Sequence, residues 1–171
     1  TILGQKLLEE FSLKNAVLIL LDDYVCFFPE EMKNQGILTR YDWRSRDKEK
    51  FLEDIASLKQ GHPIHKPTQD FSKETPSEKT DVIEPKPYII VEGNLDISGI
   101  ADIIIFLFAP DETLAERRFL RDSQKQIHGD KAKLKADINQ SLQYYHQMLE
   151  PTAEHAHIII DTSNDTIYEK I

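Results

Sequence analysis

The sequence predicts an α/β fold, a doubly wound and mostly parallel sheet with helices on both faces, from two observations. Several short runs consist almost wholly of Ile, Leu and Val, which is typical of strands buried on both faces in a parallel sheet. These runs alternate along the 171 residues with segments of helical periodicity, which is the order that forms an α/β layer structure. We expect one domain over residues 1–171, since no internal repeat marks a second.

The helices and strands can be assigned in order from these patterns. Apolar residues recur at helical spacing in the first segment and again before Gly61, where the chain is predicted to leave the helix. Continuous apolar runs mark the strands. The expected helices are 1–13, 47–59, about 112–127 and about 132–149, and the expected strands are 15–21, 87–92, 102–108 and 157–161, with 25–46 irregular.

The most polar stretch of the chain is 62–86, which contains Pro63, Pro67, Pro76 and Pro85. One interpretation is a flexible linker. The other is a substrate-facing loop or a short hairpin, because a connection of this length within a compact domain is usually functional or disordered. The residues alone leave both open.

Composition and charge restrict the class of protein. Apolar residues make up 40% and charged residues 30%, the profile of a soluble globular protein. The formal net charge of −9 argues against a surface that coats nucleic acid, because such a surface needs cations to neutralise phosphates. No apolar run suits a membrane span, and the single cysteine, Cys26, cannot form an intramolecular disulfide. We expect a cytoplasmic protein that binds neither nucleic acid nor membrane.

Acidic side chains follow two of the predicted strands at the point where each strand ends. Asp22 and Asp23 come directly after the first strand, and Glu92 with Gly93 ends the second. In open α/β sheets ligands bind at the carboxyl edge of the strands, and carboxylates there suit a hydrated divalent cation and a phosphorylated ligand. The alternative is that these acids only cap turns. Because the two strands are expected to be parallel, we expect Asp22 and Glu92 to lie at the same edge.

Basic side chains share one face of the third predicted helix. Arg117 and Arg121 are four residues apart, and Arg118 lies three residues before Arg121, so these side chains are neighbours on the helix surface. Such a face can bind phosphates as a closing lid. The alternative is a solvated face that Glu116 and Asp122 neutralise.

Aromatic residues flank the acidic pair, namely Tyr24, Phe27, Phe28, Trp43 and Phe71. An aromatic ring can stack on a nucleobase, although core packing is the commoner use of such residues. The sequence leaves both uses open for this set.

Taken together, these segments resemble the uridine kinase family, the nucleoside-phosphorylating branch of the P-loop kinases that is close to phosphoribulokinase and pantothenate kinase. The resemblance runs through nearly the whole chain and depends on the ordered set rather than on any one motif. The matching segments are Leu21–Tyr24, Tyr41-Asp42, Lys66–Phe71, Val91–Gly93, Arg117–Asp122, Glu150–Thr152 and Ala156–Ile160. The resemblance implies a three-layer α/β/α fold of the P-loop NTPase type.

The resemblance also implies an activity, the phosphorylation of the 5′-hydroxyl of uridine or cytidine by ATP or GTP with Mg²⁺, as in pyrimidine salvage. It makes Asp22 the base that faces this hydroxyl and places Glu92, with Asp22, near the magnesium ion. Phosphoryl transfer needs positioning, charge neutralisation and one proton acceptor, which these residue types supply. Relatives often form tetramers, so the resemblance suggests a homo-oligomer, a tetramer or a dimer, that acts on a small-molecule nucleoside.

The resemblance assigns further residues by matching position. It assigns substrate contacts to Tyr24, to Asp42 (the ribose hydroxyls), to Phe71 (the base) and to Arg118. It assigns nucleotide contacts to Thr1, Arg117 and Arg121. It also implies a substrate-facing loop at about 62–86 and a lid at about 112–131.

The family's phosphate-binding loop, G-x-x-x-x-G-K-[ST], is not among these residues. Thr1 matches the position directly after the lysine of that motif, and the helical pattern starts there without capping residues. The loop supplies the backbone N–H groups that cradle the phosphates and the lysine that reaches them. We therefore expect an upstream segment of roughly 15–30 residues, enough for one strand and this loop.

Several positions also differ from the family pattern around the substrate and in the lid. They remove aromatic and cationic side chains from places where the family binds the base and the phosphates. The changed positions are Val25, Gln69, Glu74, Asn94, Gln126 and His128. Two alternatives to a uridine kinase therefore stay open: a kinase of another small hydroxyl compound, and a non-catalytic binding protein derived from a kinase.

Overall fold

The computed structural model describes residues 2–27, 29–37, 42–69, 79–94, 96–124, 131–164 and 166–169. The chain divides into two compact units, Thr1–Leu95 and Asp96–Ile171. The first unit contains two small sheets and the second contains one. The expected single domain over 1–171 stays a prediction. Within the described ranges, no helix is both long and apolar enough to cross a membrane.

The first unit is built around a parallel pair of strands. Its elements are α1 Ile2–Phe11, β1 Ala16–Leu20, α2 Pro29–Asn34, α3 Lys48–Lys59, β2 Ile64–Pro67, β3 Thr80–Ile83 and β4 Tyr88–Glu92, with 3₁₀ turns at Leu21–Tyr24 and Trp43–Ser45. β1 and β4 are parallel, from Ala16 opposite Tyr88 to Leu20 opposite Glu92. β2 and β3 form an antiparallel hairpin. We call the 3₁₀ segment Leu21–Tyr24 the acidic turn.

The second unit combines a three-stranded sheet with two helices. Its elements are β5 Ile105–Phe108, α4 Asp111–Gln124, α5 Lys131–Tyr144, a π-helical turn Tyr145–Leu149, a 3₁₀ segment Glu150–His155, β6 Ile158–Asp161 and β7 Thr166–Glu169. β5 and β6 are parallel, and β7 runs antiparallel to β6. The sheet order is β5-β6-β7, so the parallel strands of this unit are connected through the two helices, as in other α/β folds.

The predicted α/β fold class is confirmed, and the main differences have simple causes. The stretch 62–86 contains the β2–β3 hairpin, which favours the hairpin alternative over the linker. Two elements were not predicted, α2 with six residues and β7 with four, because such short elements show too little periodicity to be recognised. The predicted strand 102–108 begins only at Ile105, and Ile103 before it is largely exposed.

A buried aromatic contact fixes the acidic turn onto α3. Tyr24 is 1% exposed and Phe51 is 0% exposed, and their rings meet edge to face with centroids 5.3 Å apart. The Tyr24 hydroxyl donates a hydrogen bond of 2.9 Å to Asp54 Oδ2, and Lys50 forms an ion pair with the other oxygen of Asp54. A buried hydroxyl with a partner costs little, whereas a buried hydroxyl without one is destabilising. The position of the turn that follows β1 is therefore set by packing against α3.

Gly93 lets the end of β4 lie close to the acidic turn. A Cβ atom at this position would overlap Leu21 Cβ and lie 2.9 Å from Leu21 Cδ2. We therefore expect Gly93→Ala to lower the free energy of unfolding by about 1–3 kcal/mol, the usual cost of overpacking. Urea denaturation measures this change. Gly99→Ala is the matched control, since nothing lies within 4 Å of a Cβ atom there, and equal losses in both variants would contradict the explanation.

Candidate active site

Two carboxylates lie at the carboxyl edge of the β1–β4 pair. The strand register sets Leu20 opposite Glu92, and Asp22 follows Leu20 by two residues in the acidic turn. The two acids therefore leave neighbouring parallel strands at the same edge, where α/β proteins bind their ligands. This is the arrangement that the sequence pattern predicted, although the roles of the two residues stay predictions.

Asp22, the more exposed aspartate of the acidic turn, forms an ion pair with a buried arginine. Arg46 Nη2 lies 2.6 Å from Asp22 Oδ1, and the Arg46 side chain is 3% exposed while the Asp22 side chain is 67% exposed. Arg46 Nη1 also donates to Ser45 Oγ at 3.1 Å and to the Asp42 carbonyl at 3.3 Å. The guanidinium therefore connects the segment that carries Asp22 with the one that carries Asp42.

Asp42 caps the Trp43–Ser45 turn and binds a neighbouring arginine. Its Oδ1 accepts hydrogen bonds from the backbone and side chain of Arg44 at 3.0 and 3.1 Å, and its Oδ2 lies 2.5 Å from Arg44 Nη2. Burial alone would raise the pKa of the Asp42 carboxyl, but the hydrogen bonds and charge of Arg44, with the charge of Arg46, outweigh burial and lower the pKa. Arg44 therefore favours the ionised form of Asp42, and the substrate contact assigned to Asp42 stays a prediction.

The β2–β3 hairpin is fastened to the acidic turn by two side chains. Lys66 Nζ lies 2.5 Å from Asp23 Oδ2. Gln69 Nε2 donates to the carbonyls of Asp23 at 3.1 Å and Val25 at 2.8 Å. The Gln69 amide therefore ties the residues that follow β2 to the turn that carries Asp22.

Tyr24 was expected to contact substrate, and the structure places it elsewhere. Its side chain is buried against Phe51, and its hydroxyl is used by Asp54. Burial and the neighbouring Asp54 carboxylate raise the pKa of Tyr24 far above the usual value. A side chain in this position cannot reach a ligand without opening the core, so we leave Tyr24 out of the substrate site.

The arginines of α4 lie in the second unit and bind groups of that unit. Arg118 Nε and Arg121 Nε lie 3.3 and 2.7 Å from Asp122, and Arg117 donates to Thr162 Oγ1 at 2.9 Å and to its carbonyl at 2.7 Å. Burial alone would raise the pKa of Asp122, but Arg121 and Arg118 outweigh burial and lower it. The pairing with Asp122 agrees with the alternative of a neutralised face, and the lid role of these arginines stays a prediction.

Several predicted positions lie outside the described residues, namely Thr1, Phe28, Phe71, Glu74, Gln126 and His128. The nucleotide contact assigned to Thr1 and the base contact assigned to Phe71 therefore stay predictions. The sequence analysis did not assign Arg46 and Lys66 to the site. These two cations form ion pairs with Asp22 and Asp23 of the acidic turn.

The carboxylates at the edge of the β1–β4 pair fit a magnesium ion that is shared with a substrate. Across the described ranges, no group of three or more His, Cys, Asp or Glu is arranged to hold a metal by itself. Mg²⁺, however, usually binds one or two carboxylates, several waters and the phosphates of a substrate. Asp22 and Glu92 match that smaller requirement, because both follow strands to one edge.

A groove of about 440 Å³ runs along β1 beside this edge. Residues of α1, β1 and β3 line it, together with Asp23 and Lys66. Its lining does not include Asp22, Asp42 or Glu92. The groove is therefore adjacent to the carboxylates rather than formed by them.

Solved structures share this fold. Phosphoribulokinase from Rhodobacter spheroides superposes with a TM-score of 0.65 at 14% identity, covering 92% of this chain and 64% of that one. A possible uridine kinase from Bacillus stearothermophilus superposes with a TM-score of 0.57 at 17% identity, covering 94% of this chain and 78% of that one. The chain thus spans just under two thirds of the length of the phosphoribulokinase. These likenesses show an α/β fold that the chain shares with kinases.

The sequence comparison gives the family itself. The model of the phosphoribulokinase / uridine kinase family matches residues 15–168, and the chain belongs to this family. The uridine kinase of Streptococcus gordonii is 30% identical over 166 residues, which cover 94% of this chain and 79% of that protein. The uridine kinase of Macrococcus caseolyticus is 28% identical, with 94% of this chain and 81% of that protein covered.

Proposed function

We propose that the protein transfers a phosphoryl group from ATP or GTP to the 5′-hydroxyl of uridine or cytidine. The observation that carries the proposal is the pair of acids at one edge of the β1–β4 sheet, Asp22 and Glu92, with Asp42 linked to Asp22 through Arg46. A proton acceptor, a magnesium ligand and a hydroxyl acceptor are the protein groups that an acceptor site of this chemistry requires. Family membership and the relatives named uridine kinase support the same activity.

Each acid has a separate part in the proposed reaction. The 5′-oxygen of the nucleoside attacks the γ-phosphorus, the bond from this phosphorus to the β–γ bridging oxygen breaks, and Asp22 accepts the proton of the hydroxyl. Asp42 accepts hydrogen bonds from the ribose hydroxyls and so orients the 5′-carbon. Glu92, with Asp22, would hold Mg²⁺, which neutralises charge on the transferred phosphoryl group when it is bound. The rest of the catalytic effect comes from positioning.

The proposed setting of the enzyme follows from its charge and its relatives. We infer a cytoplasmic enzyme of pyrimidine salvage that forms a homo-oligomer and uses a small-molecule substrate. The net charge of −9 supports a protein that does not bind nucleic acid.

A specific contact favours a second candidate, a kinase of another small hydroxyl compound such as a sugar phosphate or a pantothenate-like molecule. Gln69 stands where the family usually has tyrosine, and its amide is engaged by the carbonyls of Asp23 and Val25. A side chain held in this way presents a different surface to the base than a tyrosine would. The altered loop therefore supports a change of acceptor with the same phosphoryl chemistry.

An acceptor panel on the full-length protein separates these candidates. ADP or GDP formation is measured with uridine, cytidine, a purine nucleoside, sugar phosphates and pantothenate, each with Mg²⁺ and with EDTA. We expect uridine and cytidine to give the highest kcat/KM and EDTA to abolish turnover. A sugar phosphate or pantothenate as the best acceptor would establish the second candidate, and no turnover with any acceptor would establish a binding protein instead.

A further inference from the structure

We propose that Arg46 is a positioning residue that fixes the orientation of Asp22 for proton acceptance. The inference rests on the proposed function, in which Asp22 is the base. It adds a residue that lies 24 positions from Asp22 along the chain and that the sequence analysis did not assign to the site.

The geometry makes Arg46 the fixed member of the pair. Its side chain is almost completely buried, and Nη1 is held by Ser45 Oγ and by the Asp42 carbonyl. Its backbone pairs with Val25 in an antiparallel bridge directly after the acidic turn, and the neighbouring Asp47 N–H donates to the Tyr24 carbonyl at 2.8 Å. The position of the Arg46 guanidinium is therefore fixed by its own contacts.

Asp22 is the member whose position would otherwise be free to vary. Its side chain is mostly exposed, and an exposed aspartate samples several rotamers unless a contact selects one. The 2.6 Å contact between Nη2 and Oδ1 selects the rotamer in which one carboxylate oxygen faces Arg46. The second oxygen, Oδ2, is then the atom that accepts the substrate proton.

Phosphoryl transfer depends mainly on positioning and on charge stabilisation. The orientation of the proton acceptor is therefore the contribution that we assign to Arg46.

The kinetic test uses full-length protein with Arg46→Met, Arg46→Lys and Asp22→Asn, alone and combined. We expect Arg46→Met to lower kcat by up to about 10²-fold, as misplacement of a reacting group does, with little change in the KM for ATP. Arg46→Lys should recover part of this loss, because it keeps the cation but not the planar fork that binds Asp22, Ser45 and Asp42. Lys48→Met is the control, because it also removes a cation that is close to Arg46 in the chain. Lys48 Nζ lies over the Trp43 ring, 4.6 Å from the centre of the ring.

The combination with Asp22→Asn distinguishes positioning from a general loss of structure. If Arg46 acts through Asp22, then Arg46→Met lowers kcat no further when Asp22→Asn is already present. An equal loss in both backgrounds, or wild-type kcat in Arg46→Met alone, would overturn the inference.

Urea unfolding of the wild type, Arg46→Met, Asp22→Ala and the double variant tests the pair without any activity, because alanine at position 22 removes the acceptor of the Arg46 hydrogen bond. Coupled losses of stability support a fixed Asp22–Arg46 pair, and strictly additive losses overturn it. If the wild-type protein turns over no acceptor, the proposed function fails while the unfolding cycle still decides whether Arg46 holds Asp22.

Discussion

Asp22→Asn should abolish most of the phosphoryl transfer while the protein stays folded. Asparagine has the same size as aspartate and keeps an oxygen that can accept the hydrogen bond from Arg46, so the change removes the proton acceptor and the negative charge of the proposed magnesium ligand but keeps the contact with Arg46. General-base catalysis contributes about 10²–10⁴-fold, and we expect kcat with uridine and ATP to fall by that factor. Steady-state ADP formation and a thermal unfolding curve of each protein measure the two quantities.

The control for Asp22→Asn is a loss of the same charge elsewhere in the first unit. Glu53 is exposed on α3, and Glu53→Gln should leave both kcat and the unfolding temperature close to the wild-type values. Turnover within twofold of wild type in Asp22→Asn would remove Asp22 from its assigned role. In that case the proton would have to pass to another group or directly to water.

Phe51→Ala should cause the largest loss of stability among the changes considered. Phe51 is 0% exposed and packs edge to face against Tyr24, which anchors the acidic turn. Removing a fully buried aromatic side chain costs about 3–5 kcal/mol through lost transfer free energy and the cavity that remains. Because domains are stable by only about 5–15 kcal/mol, this change removes a large fraction of the free energy of unfolding. Guanidinium denaturation measures the change.

Glu53→Ala is the matched control for Phe51→Ala, since it lies on the exposed side of the same helix and also truncates to alanine. We expect its free energy of unfolding to stay within about 0.5 kcal/mol of wild type. Similar losses in the two variants would mean that α3 responds to any alanine substitution, and that the aromatic contact has no special weight.

The sequence predicted the sheet edge because both signals there are local. Continuous apolar runs at β1 and β4 predict buried strands, and the acids directly behind them need no knowledge of the rest of the fold. The register that sets Leu20 opposite Glu92 confirms the parallel pairing on which the shared edge depended.

The remainder of the site depends on contacts between distant parts of the chain. Arg46 meets Asp22 across 24 positions and Lys66 meets Asp23 across 43, and neither pair follows a helical or strand spacing. The burial of Tyr24 could not be predicted for the related reason that it depends on Phe51, which lies in another element. A single sequence shows which residues have side chains that can bind a ligand. It does not show which of these side chains are buried or paired within the protein.

The anchoring of the β2–β3 hairpin has a consequence for how this protein can change in evolution. Lys66 and Gln69 hold the hairpin to the acidic turn before residues 70–78 begin, and the Thr68 N–H donates to the Lys79 carbonyl at 3.1 Å where they end. The ends of this segment are thus fixed together, and added length between fixed ends costs little free energy. Changes in the length of chain between Gln69 and Lys79 should therefore leave the position of Asp22 unchanged in descendants of this protein.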